Sequence, residues 1–164
     1  MGISAKFDSG DVSAKVEAFQ EQLNKAILLM LQYLGESLVK YAREQHNYTD
    51  QTGNLTNSIG YVVVRNGKPV FFGGLNQPGE GKDAGYSLAM QMAERSKSAF
   101  SLIIVAGMNY AAYVEAIGYN VILPAELKAK TEFPAMMEKL IKQAKQKYGI
   151  NWGNKYSCVW AAYW

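Results

Sequence analysis

Two stretches of helical periodicity near the ends of the chain, with β-branched apolar runs between them, predict an α+β fold. At 164 residues the chain is long enough for one domain with a real core, without disulfides or metal. In the first stretch, Val12, Val16, Phe19, Leu23, Ile27, Met30, Leu34, Leu38 and Tyr41 recur in steps of three and four. The mean step is near 3.6, the period of a straight α-helix, and the charged residues fall mainly off this stripe. Such a helix is on the order of 50 Å long at 1.5 Å per residue, so it either bends near Gly35 or packs partly on another subunit.

A polar turn from Asp50 to Ile59 follows, rich in Thr, Asn, Ser and Gly, residues that bond their own backbone or tolerate positive φ. Tyr61 to Arg65 and Pro69 to Phe72 then flank Asn66-Gly67, the dipeptide of a type I′ hairpin turn. Pro69 lacks an N–H, which places it at a strand start or on an edge. The glycines from Gly73 to Gly85 predict a long loop without a phosphate-binding pattern, and Leu88, Met92 and Arg95 point to a short helix over Tyr86 to Ser96, with the alternation of Met90, Gln91 and Met92 leaving a strand open. Ser101 to Gly107 is a buried strand, Tyr110 to Gly118 is open between helix and strand, and Tyr119 to Leu123 is expected as a further strand. The second amphipathic helix runs through Phe133, Met136, Met137, Leu140, Ile141, Ala144 and Tyr148, with Thr131 as N-cap and Gly149 as C′ residue.

The chain divides into a domain over residues 1–149 and an aromatic extension over 150–164. In the extension Trp152, Tyr156, Trp160, Tyr163 and Trp164 are too apolar for a solvated terminus. They are expected to dock on the domain itself or on a neighbouring subunit, where Trp and Tyr are favoured anchors.

Composition narrows the function. The net charge is +3, too small to call for a polyanionic partner, and Lys139, Lys142, Lys145 and Lys147 read as the solvated face of a helix. The single Cys158 excludes an internal disulfide and a multi-cysteine zinc site, and the single His46 falls at a helix end where its charge suits the dipole. No basic and apolar leader of secretory type is present, and no run approaches the ~20 apolar residues of a bilayer span. Synthesis and folding in a cytoplasm are expected.

Positive signs of catalysis are lacking. Asp50-Gln51-Thr52-Gly53 is similar to the Asp-Thr-Gly of aspartic proteases, but Gln51 intervenes and no apolar strand precedes it. Glu115 lies among apolar neighbours and would have a raised pKa if buried; accepting backbone N–H bonds at a turn is its expected role. His46 forms no nucleophile motif with Cys158. Neither a catalytic residue nor a cofactor or metal site is predicted.

Two blocks, read in order, carry a resemblance. Asp50-x-Thr52-Gly53-x-Leu55-x-x-Ser58-Ile59 follows the long helix, and Tyr110-Ala111-x-x-Val114-Glu115 follows the apolar strand and precedes the last helix. This arrangement resembles the tail-completion proteins of tailed bacteriophages, small neck proteins of the siphophage head-tail joining family. Val105 to Asn109 stand where that family carries a Val-Gly-x-Asn approach to its Tyr-Ala, and Phe133-Pro134-Ala135 echo elements near its last helix. Gln51 is an insertion relative to the family pattern.

The resemblance implies a small antiparallel sheet packed by the long N-terminal and the C-terminal helix, and a structural role in the virion. Related tail terminators form rings, commonly hexameric, at the top of the tail tube. One ring face would meet the head connector or stopper, the other would end the tail tube protein, and DNA would pass the bore without sequence-specific binding. The expected location is the virion neck, after synthesis in the host bacterial cytoplasm. An oligomeric adaptor outside the virion is the alternative, ahead of an acid-base hydrolase or a DNA-binding protein.

Overall fold

A computed structural model describes residues 9–148 and 158–163, without the side chains of residues 9–12, 148 and 158–160. The elements are α1 (Ser9–Glu44), α2 (Asn54–Asn57), β1 (Ile59–Arg65), β2 (Lys68–Gly73), α3 (Glu80–Arg95), β3 (Phe100–Ala106), α4 (Ala111–Ala116), α5 (Leu123–Tyr148) and β4 (Cys158–Tyr163). Helices cover both faces of a four-stranded sheet of order β2-β1-β3-β4, and the fold is α+β.

Alternation along the two central strands builds a core on each face. Ile59, Tyr61 and Val63 of β1 and Phe100, Leu102 and Ile104 of β3 face α1 and the first half of α5. Val62, Val64, Ile103 and Val105 point the other way, onto Ala89, Met92 and Ala93 of α3. Both strands are therefore apolar at nearly every position, as expected of strands covered on both sides.

The long helix extends to 36 residues. Its stripe is buried from Phe19 through Leu38, whereas Val16 is exposed and Tyr41 half-buried. The bend expected near Gly35 has another meaning: a Cβ there would run into the Tyr61 ring, so the glycine lets the helix lie directly on β1. His46 closes the helix end, its Nδ1–H donating to the Arg43 carbonyl at 2.6 Å.

The Asn66-Gly67 hairpin forms with positive φ at both residues, 51° and 75°, as a type I′ turn requires. Pro69 sits second in β2, an edge strand, and the pairing register shifts between Val63 and Val64. A proline and a bulge make this edge a poor template for another chain.

Four expectations need correction. The sheet is mixed, because β4 pairs parallel to β3 from Phe100↔Cys158 to Val105↔Tyr163. The aromatic extension thus contributes a strand, and half-buried Ala162 packs on the α1-side core. Tyr163 is exposed; Trp152, Tyr156 and Trp164 lie outside the described residues, as does the side chain of Trp160.

The presumed loop over residues 73–85 ends early, since α3 starts at Glu80. Glycine is a weak helix former, costing roughly 1 kcal/mol relative to Ala, and so disguised this turn. Packing overrides that preference: a Cβ on Gly81 would strike the Asn54 carbonyl, and one on Gly85 would lie 2.6 Å from the Ser58 carbonyl.

Residues 119–123 form no strand, and α5 begins eight residues ahead of Thr131. Pro124, in the first turn, needs no N–H partner there. Thr131 is a mid-helix residue whose hydroxyl donates to the Leu127 and Lys128 carbonyls, and Gly149 lies outside the described residues. The ambiguous segment after Tyr110 is the short helix α4, closed by Gly118 at φ 96°. There the Gly118 N–H donates to the Glu115 carbonyl and the Tyr119 N–H to that of Val114, a Schellman ending.

Candidate functional site

The two sequence blocks converge at one end of the sheet, where β1 begins and β3 ends. Ser58 joins them. Its hydroxyl donates to the Leu55 carbonyl at 2.7 Å and accepts the Met108 N–H at 3.4 Å, while its carbonyl accepts the Gly107 N–H at 3.2 Å. Ser58 has no exposed surface, so each bond matters to a buried group. Gly107 is required by closeness, because a Cβ would meet the backbone of Ala84 and Gly85 in α3.

Asp50 and Thr52 organise the turn. The Asp50 carboxylate accepts the Thr56 N–H at 2.8 Å, filling an orphan donor of α2, and the Thr52 hydroxyl accepts the Asn54 N–H at 3.3 Å. Gly53 stands at φ 72°, a left-handed conformation that favours glycine. Leu55 and Ile59 enter the core. Asn54 differs from expectation: its side-chain amide donates to the Glu80 carboxylate at 3.0 Å instead of bonding the backbone.

Glu115 takes the role its setting predicts. Its carboxylate accepts the N–H groups of Val121, Ile122 and Leu123 at 3.3, 2.7 and 3.2 Å, capping α5 across the intervening turn. Asn120 ties the same turn to the end of α1, its N–H donating to the Asn47 side chain and its amide to the Gln45 carbonyl. Ala111 is buried, and Val114 lines the groove between the blocks.

That groove is an open cleft of about 260 Å³, walled by Tyr48, Asp50, Thr52, Leu55, Tyr110 and Val114. The Tyr48 hydroxyl lies 3.3 Å from that of Thr56. Burial raises the pKa of Tyr48 and Tyr110, and the Asp50 carboxylate adds to this in both; Glu80 does so at Tyr110. Both phenols are therefore neutral beside a carboxylate.

Sequence reasoning missed Arg43. Its guanidinium donates to the carbonyls of Ile59, at 2.8 Å, and Gly74, lashing the end of α1 to the start of β1 and the exit of β2. Burial lowers its pKa, opposed by the nearby Glu36. Only its basic type in the last turn of α1 hinted at such a role.

Among the described residues no cluster of three or more His, Cys, Asp or Glu side chains is placed to hold a metal, and no helix is long and apolar enough to cross a membrane. The cleft can offer hydrogen bonds and aromatic faces, and the carboxylate on its wall, Asp50, is engaged by a backbone amide, as is Glu115 in the neighbouring turn. Comparison with family models, with curated proteins and with solved structures gives no match to this chain.

Proposed function

We infer that this chain is a structural protein of a phage neck, a ring-forming tail-completion or head-tail joining component rather than an enzyme. The observation that carries the reading is that the two blocks, Asp50 to Ile59 and Tyr110 to Glu115, wall one groove while Asp50, Ser58 and Glu115 spend their polar groups on backbone amides. A motif that holds architecture suits an assembly subunit better than it suits a catalyst.

Exposed apolar side chains add support. Leu29 and Tyr33, one turn apart on α1, are 66% and 71% exposed, and Tyr113 on α4 is 67% exposed, surfaces that a neighbouring subunit can cover. Function in such a protein is interface geometry. Identical head-to-tail contacts close into a ring when the rotation per subunit divides a full turn, and a hexamer is the expected order. One face then meets the connector or stopper, the other ends the tail tube, and DNA passes by fit to the bore. Its place is the virion.

Mass photometry across a concentration series, with negative-stain imaging, tests this. Rings of defined mass, and density for the protein in particle necks, are expected. A monomer at every concentration, together with necks that lack the protein, would remove the reading.

A further inference from the structure

Charge is divided along α5 and its surroundings. Residues 44–64 and 98–127 contain no Lys or Arg, whereas residues 139–147, in the last turns of α5, contain four Lys and no Asp or Glu; Lys128 and Lys130 lie near the start of the helix. The fold gathers residues 44–59 and 106–127 at the end where α5 starts, together with exposed Glu80 and Asp83 at the start of α3, which flank half-buried Lys82. At this acidic end Tyr110, Tyr113, Ile117, Tyr119, Leu123 and Leu127 are all exposed. The other end of α5, about 39 Å along a 26-residue helix, presents Lys139, Lys142 and Lys145. Exposed Ile141 lies among them, beside a cleft of about 300 Å³ between α1 and α5 lined by Phe19, Leu23, Leu140 and Ala144.

We propose that these two ends are the two halves of one self-association contact, the basic end of α5 in one copy docking on the acidic, tyrosine-rich end of α4 and α5 in the next. The assignment rests on the ring reading above and names the surfaces that meet. Charge complementarity selects a second copy as the occupant. The two ends differ in balance: exposed carboxylates and aromatic faces prevail on one side, despite Lys82, and exposed ammonium groups beside an apolar seat prevail on the other, despite Glu138. Lysine over tyrosine is an attractive arrangement already used within the subunit, where Lys128 Nζ stands 4.5 Å from the centre of the Tyr41 ring. Because the two surfaces are different and lie at opposite ends of a helix, the contact is heterologous and continues from copy to copy until it closes. Among the described residues, Lys25, Lys40, Lys128 and Lys130 form ion pairs within the subunit, each with a Glu four positions away.

A charge-swap experiment on the full chain tests the contact. One variant carries Lys139→Glu, Lys142→Glu and Lys145→Glu, and the other Glu80→Lys and Asp83→Lys. Circular dichroism melts establish that both fold. Each alone is expected to lose assembly, with association weakened by about tenfold or more, because like charges now face each other. Mixed in equal amounts, they are expected to reassemble with the two variants alternating, so only even-numbered species form. Wild-type assembly should also weaken as salt is raised. If both variants assemble alone like wild type, the surfaces are wrong while the ring survives. If the folded variants fail alone and in mixture, the head-to-tail pairing is overturned. A wild-type chain that remains monomeric overturns both this contact and the ring.

Discussion

Glu115 decides where the last helix begins. Three successive amides converge on its carboxylate, so the chain from Val121 to Leu123 is committed to a helical start before Pro124 arrives. Replacing Glu115 with Ala should lower stability by about 1–2 kcal/mol, the usual cost of a lost cap, read as a shift in urea midpoint at unchanged slope. A loss below a few tenths would show that water serves these amides equally well.

Tyr61 makes a different demand, since its ring lies on Gly35 and its hydroxyl donates to Glu36 at 3.0 Å. Burial first, then the Glu36 hydrogen bond and charge, push its pKa well above the ordinary phenol range. The fold therefore favours the neutral phenol. That contribution is complete below about pH 10, the value for a free tyrosine, and is lost as pH rises above it. Stability should fall more steeply above pH 10 in the native chain than in Tyr61→Phe. The variant should give up about 1 kcal/mol at neutral pH for the missing hydrogen bond. Parallel alkaline unfolding curves for the two proteins would contradict this.

Among the elements, α3 depends on closeness rather than helix propensity. Gly81 and Gly85 bring its first two turns against Asn54 and Ser58, and Gly107 admits the same helix from the side of β3. Gly107→Ala should therefore cost about 3 kcal/mol, at the upper end for overpacking, because the atoms in the way are backbone and cannot rotate aside. Gly118→Ala meets open space but keeps φ at 96°, so about 1–2 kcal/mol is expected from strain alone. Thermal or urea denaturation should rank the two in this order.

The same contrast explains what could be read from the residues. Helix α1, the Asn66-Gly67 hairpin and β3 obey local rules of periodicity and turn chemistry, and they appear where those rules put them. The start of α3 could not be read, because glycine signals a loop unless its packing partner is known. Val121 and Ile122 looked like a strand because short apolar runs fit either period, and only the Glu115 carboxylate six residues earlier decides between them. At the joint, Asp50, Thr52 and Glu115 were legible as acceptors of backbone amides, whereas Arg43 was hidden because both its acceptors are distant in sequence.

At the scale of the whole molecule, one sheet serves two cores. Tyr61 and Val63 belong to the α1 side and Val62 and Val64 to the α3 side, so neither core can dissolve without exposing the strands that build the other. The chain should therefore unfold as a single cooperative unit. Leu34, fully buried on the α1 side, and Met92, buried on the α3 side, sample the two cores separately. Leu34→Ala should cost about 3–5 kcal/mol and Met92→Ala about 2–3 kcal/mol, the latter less because its site is nearer the surface. Since the sheet lies between them and they share no core, the double variant should lose the sum within about 0.5 kcal/mol. It should still show one transition when followed by far-UV circular dichroism and by tyrosine absorbance, which includes Tyr61 of the α1-side core. If either single variant instead splits the curve into two transitions, α3 with its face of the sheet is a separable unit, and the sandwich is two weakly joined layers.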